Sequence, residues 1–150
     1  MENGDESRMS ILIITLCKEK IHELEFVKPI CDICDKIRKE YTVRDYIKIN
    51  NNDLKRADKI IICGTSLADF EYFQPKNFKN FLWLKDFNKP VLGICAGMQV
   101  IAKISGCTLR ERTEIGLTNV VFENNFLGVN GNVHVYELHQ LGIGNICKNF

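Results

Sequence analysis

Behind a polar stretch of nine residues, Ser10 to Leu16 (SILIITL) forms an unbroken apolar run rich in β-branched side chains. Such a run predicts a strand buried on both faces, as in a parallel sheet. Phe26, Ile30, Ile33, Ile37 and Tyr41 then recur at helical spacing, predicting a helix over 25–40 with Pro29 tolerated in its first turn. Thr42 to Ile49 (TVRDYIKI) alternates apolar and polar residues and predicts a second strand nearer a sheet edge, and 52–57 reads as a short helix or turn. Lys59 to Cys63 (KIIIC) predicts a third strand, ended by Gly64, Thr65 and Ser66. Phe78, Phe81, Leu82, Leu84 and Phe87 predict a helix over 76–87 with a broad apolar face. Pro90 to Ile94 (PVLGI) predicts a fourth strand. A helix over 96–105 follows, with Val100, Ile101 and Ile104 inward and Gly106 as its stop.

Beyond Gly106 the helical period is lost. Residues 108–112, 117–122 and 133–138 read as strands joined by Gly- and Asn-rich turns. Strands alternating with helices at this spacing predict an α/β fold, a three-layer sandwich around a mostly parallel sheet with right-handed crossovers. Sites in such sheets form at the carboxyl ends of strands. Two segments stand there: the loop from Gly64 to Ala68 and the turn containing Cys95.

Composition narrows the function classes. A chain of 150 residues suits one domain with a real core. We expect a disordered lead-in over 1–9, with Met9 as an alternative start, and a single domain over 10–150. A net charge of +1 with interspersed signs leaves no footprint for nucleic acid or an anionic membrane. No apolar run approaches the roughly 20 residues of a membrane span, and the acidic N-terminus does not suit a signal peptide. A cytoplasmic location is expected. Seven cysteines are an odd number, and Cys17, Cys34, Cys63 and Cys107 sit in apolar segments, so reduced thiols are expected. Cys31 and Cys34 form a C-x-x-C without a second pair or a well-spaced His, so four zinc ligands cannot be assembled from it. Neither a metal nor a cofactor is expected.

The chemistry concentrates at Gly93-Ile94-Cys95-Ala96-Gly97-Met98-Gln99. A nucleophile on a tight strand-to-helix turn needs small neighbours, and Gly93 and Gly97 supply them. The helix start favours a thiolate at Cys95. The backbone N–H of Ala96 would face the oxyanion of an attacked carbonyl.

The run from Pro90 to Gln99 (PVLGICAGMQ) is similar to the signature of class I glutamine amidotransferases. The opening strand, the helix beginning Phe26-Val27-Lys28-Pro29-Ile30, the third strand ending in Gly64, and Glu114-Ile115-Gly116 fall in the family's order, so the resemblance covers nearly all of the chain after Met9. It implies hydrolysis of the side-chain amide of L-glutamine and delivery of ammonia to a synthase subunit. A GMP-synthase-like glutaminase subunit is the expected relative. By position, Cys95 would carry the γ-glutamyl thioester, Gly64 and Ala96 would supply oxyanion-hole N–H groups, and Gln99 would hold the substrate glutamine.

Two departures from the pattern matter. The loop after the third strand reads Cys63-Gly64-Thr65-Ser66, where the family has Gly-Gly-Pro or close to it, so its turn is expected to be built differently. The family's base, a His followed by Pro and Glu on a later segment, has no counterpart between Cys95 and Phe150. His139 stands open as a base, a substrate-side residue or a structural His. His22 and His134 are expected to be solvated or structural, and Glu114 to be a substrate contact or a solvated turn residue. The resemblance implies a C-terminally incomplete amidotransferase, clipped or degenerate, ahead of one with a rearranged triad. Two further functions stay open: a Cys hydrolase of γ-glutamyl bonds with no synthase partner, and a non-catalytic homologue with a binding or regulatory role.

Overall fold

The computed structural model of the chain describes residues 10–147, so the lead-in expected over 1–9 lies outside the described residues. Strands β1 (Ser10–Thr15), β2 (Glu40–Asp45), β3 (Lys59–Ile62) and β4 (Val91–Gly93) form one sheet in the order β2-β1-β3-β4. All three pairings are parallel, with Ile13 opposite Val43 on one side and Ile61 on the other, and Ile61 opposite Leu92. The two-residue period of a strand sends alternate side chains to opposite faces. Leu12, Ile14, Ile60 and Ile62 enter a core with Phe81, Ala96 and Val100. Ile13 and Cys63 enter a second core with Cys17, Val27 and Cys34. Burial on both faces is why these strands read as continuous apolar runs. The alternating β2 lies at the edge, as its sequence predicts.

Helices α1 (Glu23–Phe26) and α2 (Lys28–Lys36) cover one face. Helices α3 (Asn51–Arg56), α4 (Pro75–Phe78) and α5 (Ala96–Ile104) cover the other, completing the three layers. No helix among the described residues is long and apolar enough to cross a membrane. Helix α3 is held by a capping box: the Asn50 side chain accepts from the N–H groups of Asn52 (2.9 Å) and Asp53 (3.0 Å), and Asp53 accepts from the Asn50 N–H at 3.2 Å. With six residues, this helix has little else to hold its first turn. Asn50→Ala is expected to cost about 1 kcal/mol, read as a lower urea midpoint at unchanged slope.

Several sequence expectations need correction. The helix expected over 25–40 starts earlier, in a 3-10 turn over Lys20–His22, breaks at Val27 and ends at Lys36. The Val27 break lets Pro29 enter the first turn of α2 instead of interrupting a longer helix. The segment over 76–87 is mostly 3-10, Lys79–Lys85, and buries Phe81 while leaving Leu82 exposed. The three short strands expected after Gly106 are two long ones, β5 (Leu109–Phe126) and β6 (Val129–Ile143), paired antiparallel in a separate sheet. A register shift interrupts the ladder between Glu111 and Glu114, and Gly116 stays paired with Glu137 at φ 129°, where the sequence reads as a turn.

The thiols are not all reduced: Cys107 and Cys147 are joined as a disulfide. The chain returns from β6 past the end of α5, with the Gly144 N–H bonded to the Thr108 carbonyl at 2.7 Å, and this brings the two cysteines together. Cys17, Cys31, Cys34, Cys63 and Cys95 are free.

Candidate active site around Cys95

Strand β4 runs into α5 through Ile94 and Cys95, and Cys95 stands at φ 49° and ψ −106°. Side chains rarely adopt a positive φ, so the surroundings must enforce it. Two glycines let them. A Cβ on Gly93 would lie 2.5 Å from the Met98 nitrogen, and one on Gly97 would strike the Ile62 carbonyl oxygen on β3. The turn therefore closes only with hydrogen at both positions, and it presents the sulfur at the carboxyl end of the sheet.

Burial pushes the Cys95 thiol up from its ordinary value, and the Ala96 backbone N–H, aimed at the sulfur, acts in the opposite sense. The thiol donates to the Leu138 carbonyl at 4.0 Å. Among the described residues, no imidazole or carboxylate hydrogen-bonds to this sulfur. Gly64 lies against the elbow: a Cβ there would sit 3.5 Å from the Cys95 Cβ and 3.6 Å from the Ile94 carbonyl oxygen.

The loop after β3 is built on Asp69. Its carboxylate accepts from the Thr65 hydroxyl at 2.6 Å, the Lys18 N–H at 3.3 Å and the His22 ring at 3.3 Å. Burial alone would raise the Asp69 carboxyl; these three donors outweigh it and hold it below its ordinary 3.8. A depressed folded value means stability that is fully present above the unfolded value and is lost as pH falls through the folded one. Asp69→Ala is expected to cost about 2 kcal/mol at neutral pH. The deficit should shrink as pH falls below 3.8 and the wild-type carboxylate protonates too, as measured by thermal melts across that range.

His139, on β6, does not point its nitrogens at Cys95. Its Nε2 lies 3.2 Å from Glu114 Oε2, and its Nδ1 lies 3.9 Å from Glu137 Oε2. Glu114 is also gripped by Arg112 at 2.7 Å. A hydrogen bond between the two carboxyls holds Glu137 above the usual carboxylate range and Glu114 below it. Gln99, 5% exposed, donates from Nε2 to the Leu141 carbonyl at 3.0 Å.

Gly64, Cys95, Gln99 and His139 share a cleft of about 530 Å³ between α1–α2 and β6, with Phe26, Ile30 and Met98 as its apolar wall. On the other side of the elbow, Thr65, Tyr72, Cys95, Ala96, Gln99 and His139 enclose only about 20 Å³. A larger cavity, about 760 Å³, lies at the ends of β1 and β2 and contains neither Cys95 nor the elbow glycines. The structure therefore gathers Gly64, Cys95, Ala96, Gln99 and His139 around one turn, whereas Glu114 lines neither space. His22 serves the Asp69 anchor, and exposed His134 stands on β6 opposite Asn119. Sequence reasoning missed the carbonyls of Leu138 and Leu141, which carry no side-chain signal. It also missed Asp69, which the polar pair Thr65 and Asp69 beside Gly64 could have flagged.

The chain is similar to known proteins. A GMP synthase [glutamine-hydrolyzing] of Thermotoga petrophila is 36% identical over 90 residues, covering 58% of this chain and 17% of that protein. A GMP synthase [glutamine-hydrolyzing] subunit from Saccharolobus solfataricus is 35% identical over 93 residues, covering 59% of this chain and 49% of that protein. The chain thus spans half or less of the length of these curated relatives. A crystal structure from Thermoplasma acidophilum, described as that of a GMP synthase subunit protein, superposes with a TM-score of 0.74 at 20% identity, covering 94% of this chain and 69% of that one. The family model of class-I glutamine amidotransferases matches residues 22–149, and the chain belongs to that family.

Proposed function

We propose that the chain hydrolyses the side-chain amide of L-glutamine through a thioester on Cys95 and supplies the ammonia to a synthase subunit, with residues 10–150 acting as one amidotransferase-like domain. The observation that carries this reading is Cys95 held at a positive φ between β4 and α5, with the Ala96 N–H on its sulfur. The Cys95 thiolate attacks the amide carbon. The carbonyl oxygen takes up the charge beside the Ala96 N–H and the Gly64 backbone. The C–N bond then breaks as the nitrogen takes a proton from water and leaves as ammonia, and the hydroxide left behind cleaves the thioester to glutamate and frees the Cys95 sulfur. Gln99 and His139 line the cleft the glutamine would enter. His139 serves as a base only if its ring turns away from Glu114. The similarity to GMP synthases makes a GMP-synthase-type partner the leading acceptor.

One observation favours a second reading, a non-catalytic homologue: no described imidazole or carboxylate reaches the Cys95 sulfur, and burial keeps its proton on. The glutamine analogue diazo-oxonorleucine separates the two. Covalent mass gain mapped to Cys95, with ammonia released from glutamine, is the result expected of the enzyme. An unlabelled Cys95 in a folded protein that releases no ammonia would overturn that reading in favour of the second.

A further inference from the structure

The two-stranded sheet of β5 and β6 shares no backbone ladder with the four-stranded sheet that carries the elbow. Its position over the nucleophile must be set by other ties, and two of them come from the turn at Cys95 and the first turn of α5. The Gln99 N–H bonds to the Cys95 carbonyl at 3.1 Å, which places Gln99 one turn beyond Cys95. Their side chains donate to β6 carbonyls three residues apart, Leu138 and Leu141. The two bonds differ in strength. The amide bond of Gln99 is short, 3.0 Å, and its side chain is buried. The thiol bond is long, 4.0 Å, and a thiol is a weak donor. The strong bond therefore fixes where the weak acceptor sits.

We infer that Gln99 is a positioning residue: by holding β6 at Leu141 it keeps the Leu138 carbonyl on the Cys95 sulfur, so the ligand-free protein holds its nucleophile as the thiol. A carbonyl oxygen accepts from S–H but repels S⁻, so this contact favours the thiol over the thiolate. Activation then requires β6 to give up the sulfur, and Gln99 sets how firmly it is held. This inference rests on Cys95 being the nucleophile proposed above and assigns Gln99 a role through β6 beside any contact with substrate.

The test is the pH dependence of Cys95 alkylation by iodoacetamide, quantified by peptide mass spectrometry, with the partly exposed free thiol of Cys31 as internal reference. Gln99→Met keeps the side-chain length and removes the donor. Its Cys95 alkylation midpoint is expected to fall by about one pH unit, making the Cys95 rate at pH 7 about tenfold faster relative to Cys31. An unchanged midpoint and rate ratio in a folded Gln99→Met protein would overturn the inference. Should that variant fold poorly, Gln99→Leu, which also removes the donor and adds no charge, gives the same reading: a lowered Cys95 midpoint supports the inference, and an unchanged one overturns it. Because iodoacetamide needs no glutamine subsite, this outcome is independent of diazo-oxonorleucine labelling, whose failure would count against the proposed function alone.

Discussion

A Cys95→Ser protein is expected to take up no diazo-oxonorleucine and to lose at least about 10³-fold of any glutaminase rate while melting near the wild-type temperature. The hydroxyl is similar in size to the thiol but far harder to ionise, and no described base lies within reach to ionise it. The Ala96 N–H that offsets the burial of the sulfur cannot do the same for an alkoxide at neutral pH. Cys95→Gly makes the complementary point. At φ 49° and ψ −106° the backbone is strained for any residue with a Cβ, and glycine relieves it. That variant is expected to be equally inert and yet about 1 kcal/mol more stable, visible as a melting temperature raised by roughly 2–4 °C. Gain in one property with total loss of the other would show that the turn is kept for the thiol and not for the fold. A Cys95→Gly melt below wild type would refute the strain argument, and substantial turnover by Cys95→Ser would refute the mechanism.

How far the sequence foretold this arrangement depends on which atoms did the work. Residues 10–15 and 59–62 were legible as buried parallel strands because both faces of the sheet are covered, which leaves no polar alternation. The elbow was legible because steric exclusion writes itself as glycine at 93 and 97. The long hairpin was not, because a register shift at Glu111–Glu114 and the positive φ of Gly116 look like turn chemistry in one dimension. The disulfide was hidden by the same property that makes cysteine readable as a small apolar residue: Cys107 is buried whether or not it is bonded. The environment of the thiol was least legible of all. It is set by the main-chain oxygens of Leu138 and Leu141, which any residue type would supply. His139 shows the converse: its sequence position suggested a base, whereas cross-strand pairing with Glu114 directs its ring elsewhere.

Gly97→Ala is expected to be the most destabilising single-methyl change in this part of the chain. The added Cβ would strike the Ile62 carbonyl oxygen and lie 2.8 Å from the Ile62 carbonyl carbon. Neither atom can step aside, since that same oxygen accepts the Ile94 N–H at 2.9 Å in the β3–β4 ladder. A side-chain tip could rotate away; a sheet carbonyl cannot, so the start of α5 must lift. Lifting it would pull Ala96 and Val100, both buried, off the core. The cost should stand at or above the top of the usual overpacking range, about 3 kcal/mol, or roughly 10 °C in melting temperature. Gly64→Ala is the control, because its new Cβ would meet nothing nearer than 3.5 Å and should change stability by less than about 1 kcal/mol. If α5 rests on β3 as closely as the geometry states, the two alanines must separate by several degrees. In that case Gly97→Ala should also slow diazo-oxonorleucine labelling of Cys95 in whatever fraction stays folded, because the lifted helix start carries the Ala96 N–H away from the sulfur. Equal melting temperatures for the two variants would mean that the helix and sheet are not in contact at this point, and the enforced turn at Cys95 would lose its physical basis.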